Sequence, residues 1–422
     1  MSHTDPAPIR PAGLLPRNRL ARFVAVFGPG LVVMLADTDV GSIVTAGQSG
    51  ARWGYQLLMM QFLLMPILYV VQELTVRLGI FTGRGHGELI RDTFGAVWAW
   101  ISVAGLGIAT LGALITEFSG VAGVGELYGI PRLYTLPLAA ITLIAVVLTG
   151  SYRRVERAAI ALGLFEFAFF VVAWAAHPSG AEIVSGSLSI PIGNKDYVYL
   201  AAANIGAVIM PWMIFYQQSA IADKRLAPEH LTAARWDTGI GAVLTQLVMA
   251  AVLVACAATI GKAHPDAALD TVGSISEALT PFLGEAMGRL VFSLGVLGAG
   301  MVAAIVVSLA FAWGLGEVAG YQRSLELRPA RAKWFYGLYA GSVAGGAALV
   351  AIWPDLVALN VGVQVMNALL LPLVLGMLIA LACRALPPAH RLRGTYMWIV
   401  IILCAGTTLL GVFGGFQGIG LF

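Results

Sequence analysis

The sequence predicts an all-α polytopic membrane protein with about eleven transmembrane helices. Of its 422 residues, 59% are hydrophobic and only 11% are charged, whereas soluble domains carry about 25% charged residues. Two of the apolar segments, the first and the sixth, contain helix-breaking residues near their centres. Interrupted helices five positions apart are typical of a five-plus-five inverted repeat. Because five is odd, the second repeat must enter the membrane from the opposite side, and the eleventh helix is an addition.

Eleven apolar runs are long enough to cross a bilayer. They fall at about 23–47, 55–77, 96–127, 132–150, 158–177, 197–220, 237–260, 286–318, 334–353, 355–382 and 395–416. The expected organisation is a cytoplasmic tail at 1–22, a first repeat of helices one to five at 23–195, a second repeat of helices six to ten at 196–382, and helix eleven with the C-terminus at 383–422.

The distribution of basic residues predicts the orientation in the membrane. With the N-terminus in the cytoplasm, twenty of the 25 Lys and Arg residues fall on the inside. Cytoplasmic loops carry such an excess. We therefore expect a multi-pass protein of the cell membrane, with a cytoplasmic N-terminus and the C-terminus outside.

The first apolar segment has a polar, glycine-rich centre. Residues 28–50 read GPGLVVMLADTDVGSIVTAGQSG, with Asp37 and Asp39 in the middle. On insertion scales an ionised Asp near a helix centre costs roughly 2.5–3.5 kcal/mol. A bound cation or a water-filled cavity usually offsets that cost, and a broken helix frees backbone carbonyls as ligands. We predict half of a cation site here, with Val40 and Gly41 as the hinge.

The sixth apolar segment is predicted to supply the second half of the cation site. Residues 204–219 read NIGAVIMPWMIFYQQS, and Pro211 removes a helical hydrogen bond and crowds the preceding turn. Residues 207–210 are therefore the expected unwound stretch, although a simple proline kink is the alternative. Met210 lies one residue before Pro211, where its thioether can act as a soft ligand; ordinary packing is the alternative for this side chain.

Other classes of protein lack support in the sequence. There is no basic tract for nucleic acid, and no nucleophile–base pair or His/Cys cluster for an enzyme. No cofactor and no obligate protein partner is indicated, so the lipid bilayer and a transported cation are the expected partners. His86 lies in the glycine-rich segment GRGHGE and is expected at the surface.

Several motifs follow one another in a characteristic order. They are GPG at 28–30, DTDVGS at 37–42, RLGIFTGRG at 77–85, GSYRRVER at 150–157, MPWMIFYQQSA at 210–220, and Gln364 with Pro372 eight residues on. Together they resemble the Nramp divalent-metal transporters, and within them the Nramp-related branch. The motif GSYRRVER, together with the two broken helices, makes the resemblance to this family specific. The resemblance implies the leucine-transporter-type fold and uptake of divalent metal by alternating access.

The resemblance also implies a set of metal-binding residues. Asp39 matches the family's metal-binding Asp, Ser42 stands where the family has a ligating Asn, and Met210 matches the metal-binding Met. Ala36 and Ala207 match positions whose backbone carbonyls face the ion in one conformation or another.

The tenth helix adds two polar residues to this set. Gln364 matches a residue that can close over the site, and Asn367 lies one turn further on.

This sequence departs from the family pattern at several positions. Trp212 stands where many members have a His that serves proton movement, and Leu114 stands at a position that is acidic in proton-coupled members. Glu117 remains as a candidate proton path. We therefore expect weak or absent proton coupling. Asp37 is an additional acid, expected with Trp212 in the vestibule or around the ligands.

The ion itself is open at this point. Met210 favours Mn²⁺, with Fe²⁺ and related ions as further candidates, because these tolerate sulfur. Asp37 with Ser42 favours the alternative, a partly hydrated Mg²⁺, which prefers oxygen ligands. An organic-solute or amino-acid transporter of the same fold is a further alternative.

Overall fold

The computed structural model describes residues 28–263, 273, 275–276, 284–353 and 359–418. The described chain is almost entirely helical. Its α-helices are α1 Pro29–Asp37, α2 Val40–Trp53, α3 Leu58–Thr82, α4 His86–Phe94, α5 Ala96–Leu127, α6 Arg132–Leu148, α7 Tyr152–Gly163, α8 Ala168–Ala175, α9 Gly180–Ser187, α10 Lys195–Val208, α11 Pro211–Lys224, α12 Leu231–Ala263, α13 Glu285–Ala319, α14 Lys333–Ile352, α15 Asn360–Arg384 and α16 Gly394–Gly418. The expected N-terminal tail at 1–22 lies outside the described residues.

The helix count agrees with the prediction. In the described part of the chain, nine helices or continuous helix pairs are long and apolar enough to cross a membrane, and α1 with α2 forms a tenth span bent by 48°. The shorter apolar helix α6 makes the eleventh. Its outward side chains Leu133, Leu138 and Ile141 are 65–67% exposed. Such an apolar exposed surface is what a lipid-facing helix presents.

The first helix breaks earlier than the sequence suggested. The hinge was expected at Val40 and Gly41, but the break lies at Thr38 and Asp39, and α2 already begins at Val40. The reason is capping: the Asp39 side chain accepts the backbone N–H of Ser42 at 2.6 Å. A carboxylate at this position satisfies an N–H group that has no partner within the helix.

The sixth helix also breaks over a shorter stretch than predicted. Ala207 and Val208 complete α10, and only Ile209 and Met210 have extended backbone before α11 begins at Pro211. Proline fits the first position of a helix because its missing N–H would have no partner there. Pro211 therefore begins a new helix rather than unwinding the turn before it.

Close helix contacts hold the broken spans against their neighbours. Gly206 on α10 lies against the backbone of α15, so that a Cβ there would overlap the Gln364 carbonyl oxygen and lie 2.8 Å from the Ala368 nitrogen. Gly50 on α2 meets α12 in the same way, at the Leu253 carbonyl. Small residues allow such backbone approach between membrane helices.

We expect Gly206→Ala to lower the free energy of unfolding by about 1–3 kcal/mol, because the added methyl group meets rigid backbone. The thermal unfolding midpoint of the detergent-purified protein measures this change. Gly376→Ala is the matched control, since a Cβ at this position of α15 meets nothing within 4 Å. Equal midpoints for the two variants would contradict the proposed close contact.

Candidate functional site

Asp39 lies at the centre of the broken first span. It is fully buried, and its Oδ1 accepts the Ser42 N–H. Its other oxygen, Oδ2, accepts no hydrogen bond from a described residue. A buried carboxylate oxygen without a donor is costly, and it is available to a cation.

Glu117 on α5 supports the same break from the opposite side. Its Oε2 accepts the Val40 N–H at 3.1 Å, and its Oε1 accepts the Thr116 hydroxyl at 2.9 Å. Val40 is the first residue of α2, so Glu117 satisfies a second unpaired N–H of that helix. The two carboxylates together cap α2.

Ser42 joins the two broken spans. Its hydroxyl donates to the carbonyl oxygen of Ala207 at 2.9 Å, and Ala207 lies in the last turn of α10. The bond ties the first break to the second within a buried environment. Ser42 and Ala207, which were both predicted as ligands, are thus hydrogen-bonded to each other in this structure.

Met210 occupies the second break itself. It precedes α11 in extended conformation, and its side chain is fully buried in the same apolar cluster as Ala36 on α1. Trp212, in the first turn of α11, is fully buried, and its indole Nε1 has no hydrogen-bond partner among the described residues. Trp212 is therefore buried next to the second break in this structure.

Two amides of α15 cover the start of α2. Asn367 Nδ2 donates to Gln364 Oε1 at 3.0 Å, while Gln364 Nε2 and Asn367 Oδ1 have no partner among the described residues. Gly41 lies directly beneath Gln364, where a Cβ would overlap Nε2. Glycine at position 41 therefore lets the amide lie against the break.

Asp37 ends α1 and is only 1% exposed, so it does not lie at a solvated rim in this structure. Neither of its oxygens accepts a hydrogen bond from a described residue. Glu166 shares these properties: it is fully buried and both of its oxygens are unpartnered. Sequence reasoning did not single out Glu166 for the site, because an acid on the fifth span gives no signal that it faces the first.

His86 corrects another expectation. It is 1% exposed at the start of α4, with Nδ1 2.8 Å from Gln218 Oε1 and its ring against Phe215. Burial lowers the pKa of His86 to about 4, with a smaller opposing effect from the Gln218 hydrogen bond. The ring is therefore neutral near pH 7 and fastens the start of α4 to α11.

Hydrogen bonds hold the beginning of α1 against α12. The buried Asp237 of α12 accepts the backbone N–H groups of Gly28, Gly30 and Leu31 at 3.1, 2.7 and 3.0 Å. A carboxylate at a helix N-terminus also interacts favourably with the helix dipole. Asp237 thus fastens α1 to α12.

Chemically, the two breaks carry buried oxygen groups and, on Met210, a thioether. In the described residues no three His, Cys, Asp or Glu side chains are arranged so that they could hold one metal ion. Any cation here would be held by one carboxylate together with backbone carbonyls, amides and a thioether.

Comparison with known proteins agrees with this description. A family model described as natural resistance-associated macrophage protein-like, Nramp, matches residues 30–417. The divalent metal cation transporter MntH of Aeromonas hydrophila is 30% identical over 298 residues, which cover 68% of this chain and 72% of the relative.

Solved structures show the same fold. The Eremococcus coleocola manganese transporter, in complex with an aromatic bis-isothiourea substituted compound, superposes with a TM-score of 0.75 and 19% identity, covering 96% of this chain and 90% of that one. MhsT in complex with L-phenylalanine gives a TM-score of 0.60 at 15% identity, over 95% and 99% of the two chains.

We expect Asp237→Ala to open the N-terminal side of the site, because each charged hydrogen bond to α1 contributes about 1.5–3 kcal/mol. A cysteine introduced as Ala36→Cys, with Cys256, Cys383 and Cys404 replaced, reports this opening. Its labelling by a membrane-impermeant maleimide from that side should accelerate at least several-fold.

Asp196→Ala, at an exposed acid in the first turn of α10, is the control and should leave the labelling rate unchanged. An unchanged rate in Asp237→Ala would show that this carboxylate does not hold α1 closed.

Proposed function

The chain belongs to the Nramp-like family and is a membrane transporter rather than an enzyme. We propose that it takes up a divalent metal ion, preferably Mn²⁺, by alternating access. The family model covers residues 30–417, nearly the whole described chain. The proposed orientation has a cytoplasmic N-terminus and an outside C-terminus in the cell membrane, as the basic residues favour.

The observation that carries the proposal is the unpartnered Oδ2 of Asp39, buried where the two broken spans meet. The Ser42–Ala207 bond brings the second break to the first. Buried charges in proteins are paired or coordinate metals. A divalent cation at this point would satisfy Asp39 and draw on the carbonyls of Ala36 and Ala207.

Met210 favours Mn²⁺ or Fe²⁺ over Mg²⁺. A thioether is a soft ligand, whereas Mg²⁺ demands octahedral oxygen ligation and keeps several waters. The Ser42 hydroxyl donates its proton to the Ala207 carbonyl, and this leaves the lone pairs of the hydroxyl oxygen available to either ion. Ser42 therefore does not separate the two ions, and the preference for Mn²⁺ rests on Met210.

Gln364 and Asn367 can adapt to a bound cation without losing their mutual hydrogen bond. Exchanging the oxygen and nitrogen positions of both amides preserves one N–H···O contact between them. The exchange turns the Gln364 oxygen toward Gly41, where Nε2 now lies. Gln364 then becomes a ligand that closes over the ion, and Asn367 supports it.

Transport without strong proton coupling fits the surroundings of the site. Trp212 contributes an indole N–H that does not titrate, and Leu114 is a buried apolar side chain. Glu117 is the remaining candidate proton carrier, and both of its oxygens are engaged in hydrogen bonds at the start of α2. These contacts give Glu117 a structural role in capping α2.

An amino-acid substrate is disfavoured by the same contacts. A substrate carboxylate in this fold would need free N–H groups at a broken helix. In this chain Glu117 accepts the Val40 N–H and Asp39 accepts the Ser42 N–H. The resemblance to MhsT therefore extends to the fold alone.

We expect Met210→Ala to reduce the preference for Mn²⁺ over Mg²⁺ and Ca²⁺ by about tenfold, equivalent to about 1.4 kcal/mol, because the soft ligand is lost. Parallel uptake of the three ions into proteoliposomes measures the preference. Met213→Ala removes a neighbouring buried thioether and should keep the preference, while Asp39→Ala should abolish uptake. An unchanged preference in Met210→Ala would rule out a sulfur ligand.

We expect Mn²⁺ uptake to proceed without stoichiometric acidification of the vesicle lumen, because Trp212 and Leu114 do not titrate and both oxygens of Glu117 are engaged at the start of α2. A trapped pH-sensitive dye, followed together with metal influx, makes the comparison. Addition of a protonophore serves as the control for charge-driven proton leak. A proton influx that scales with Mn²⁺ influx would contradict uncoupled transport.

A further inference from the structure

Asp37 and Glu166 are buried acids that the Asp39 site does not use. Asp37 is 1% exposed and Glu166 is fully buried. All four of their carboxylate oxygens lack a hydrogen-bond partner among the described residues. Ionised carboxylates in this situation are strongly destabilising unless a cation or a proton neutralises them.

Packing between the first and fifth spans brings the two acids to one place. Gly163, the last residue of α7, lies against Leu35, and a Cβ there would come within 2.8 Å of the Leu35 Cβ. A short 3₁₀ segment, Leu164–Phe167, follows. Glu166 lies three residues after Gly163, and Thr38 lies three residues after Leu35. The side chains of Glu166 and Thr38 interact.

Two hydroxyl groups, on Thr38 and Thr245, belong to the same buried group of side chains as the two carboxylates. Thr38 Oγ1 and Thr245 Oγ1 on α12 form a hydrogen bond of 2.7 Å. Thr245 interacts with Asp37, and Thr38 with Glu166. Neither contact reaches hydrogen-bond geometry at the carboxylates. The result is a buried group of two carboxylates and two hydroxyls where α1 ends.

The largest charge–charge interactions of Asp37 and Glu166 are with other acids and not with a positively charged side chain. Asp37 interacts with Asp39, and Glu166 with Asp37, Asp39 and Glu117, all of which are acids. The ion pairs found among the described residues join other side chains, such as Glu73 with Arg77 and Glu156 with Lys224. Among the described residues neither acid forms an ion pair with a Lys or Arg, so a bound cation or a proton must neutralise them there.

We propose that Asp37 and Glu166, with the hydroxyls of Thr38 and Thr245, form a second site for a hard divalent cation beside the Asp39 site. This inference rests on the proposed metal transport, because the same ions must reach the buried break. Two carboxylates match the charge of one divalent ion. The two carboxylates and two hydroxyls offer oxygen ligands and no sulfur, which matches the preference of Mg²⁺ and is also accepted by Mn²⁺.

The two sites differ in donor chemistry, and this difference makes them separable. Met210 gives the Asp39 site a soft ligand, so Mg²⁺ should compete poorly there. The Asp37–Glu166 site offers oxygen atoms alone, so Mg²⁺ should compete well. An ion held in the second site also places positive charge near Asp39, so its departure should strengthen binding of the transported ion.

Equilibrium binding of radioactive Mn²⁺ to the purified protein, with and without excess Mg²⁺, tests the proposal. The expected result is two ions per chain for the unmodified protein, one of them displaced by Mg²⁺. Glu166→Gln and Asp37→Asn should each bind one ion that resists Mg²⁺. Asp39→Ala should bind one ion that Mg²⁺ displaces.

The controls separate loss of a ligand from loss of the fold. Glu229→Gln changes an exposed acid and should keep both ions. The ion retained in Glu166→Gln itself reports an intact Asp39 site. A single ion per chain, lost in Asp39→Ala and unchanged in Glu166→Gln, would overturn the second site while leaving the proposed transport intact. Absence of any Mn²⁺ binding by the unmodified protein would overturn both.

Discussion

Capping of a broken helix inside the membrane is the constraint on which the rest of the site depends. A break at Thr38 and Asp39 exposes backbone N–H groups where no water-rich phase can satisfy them. Asp39 and Glu117 accept two of these groups, and Ser42 donates to the Ala207 carbonyl at the end of the other broken helix. Asp39, Glu117 and Ser42 thus stabilise the broken helices in addition to any role in binding an ion.

The donors left over from this task determine what the site can bind. One oxygen of Asp39, the thioether of Met210 and the adaptable amides of Gln364 and Asn367 are not consumed by the helix ends. Substrates that need N–H donors find them already occupied, whereas a cation finds acceptors. The same hydrogen bonds that stabilise the break therefore select a positive ion over a carboxylate-bearing solute.

The spans could be predicted from the sequence because their apolar runs are long and separated by polar residues. The exact breaks could not be predicted, since glycine at 41 suggested a hinge while the capping carboxylate of Asp39 decided where α2 begins. Gly41 proved to serve packing against Gln364 instead. His86 and Glu166 illustrate the second limit: burial against a distant span depends on tertiary packing, which local composition does not encode.

The excess of buried acids links ion release to the opening of the first span. Asp37, Asp39, Glu117 and Glu166 lie around the break, and their largest interactions are with one another and with hydroxyl or amide groups. In so dry an environment a divalent cation is attracted strongly, and release is correspondingly unfavourable. Movement of α1 away from Asp237 would admit water beside these carboxylates and weaken the attraction. Under the proposed alternating access, separation of α1 from α12 would therefore combine entry of water with release of the ion.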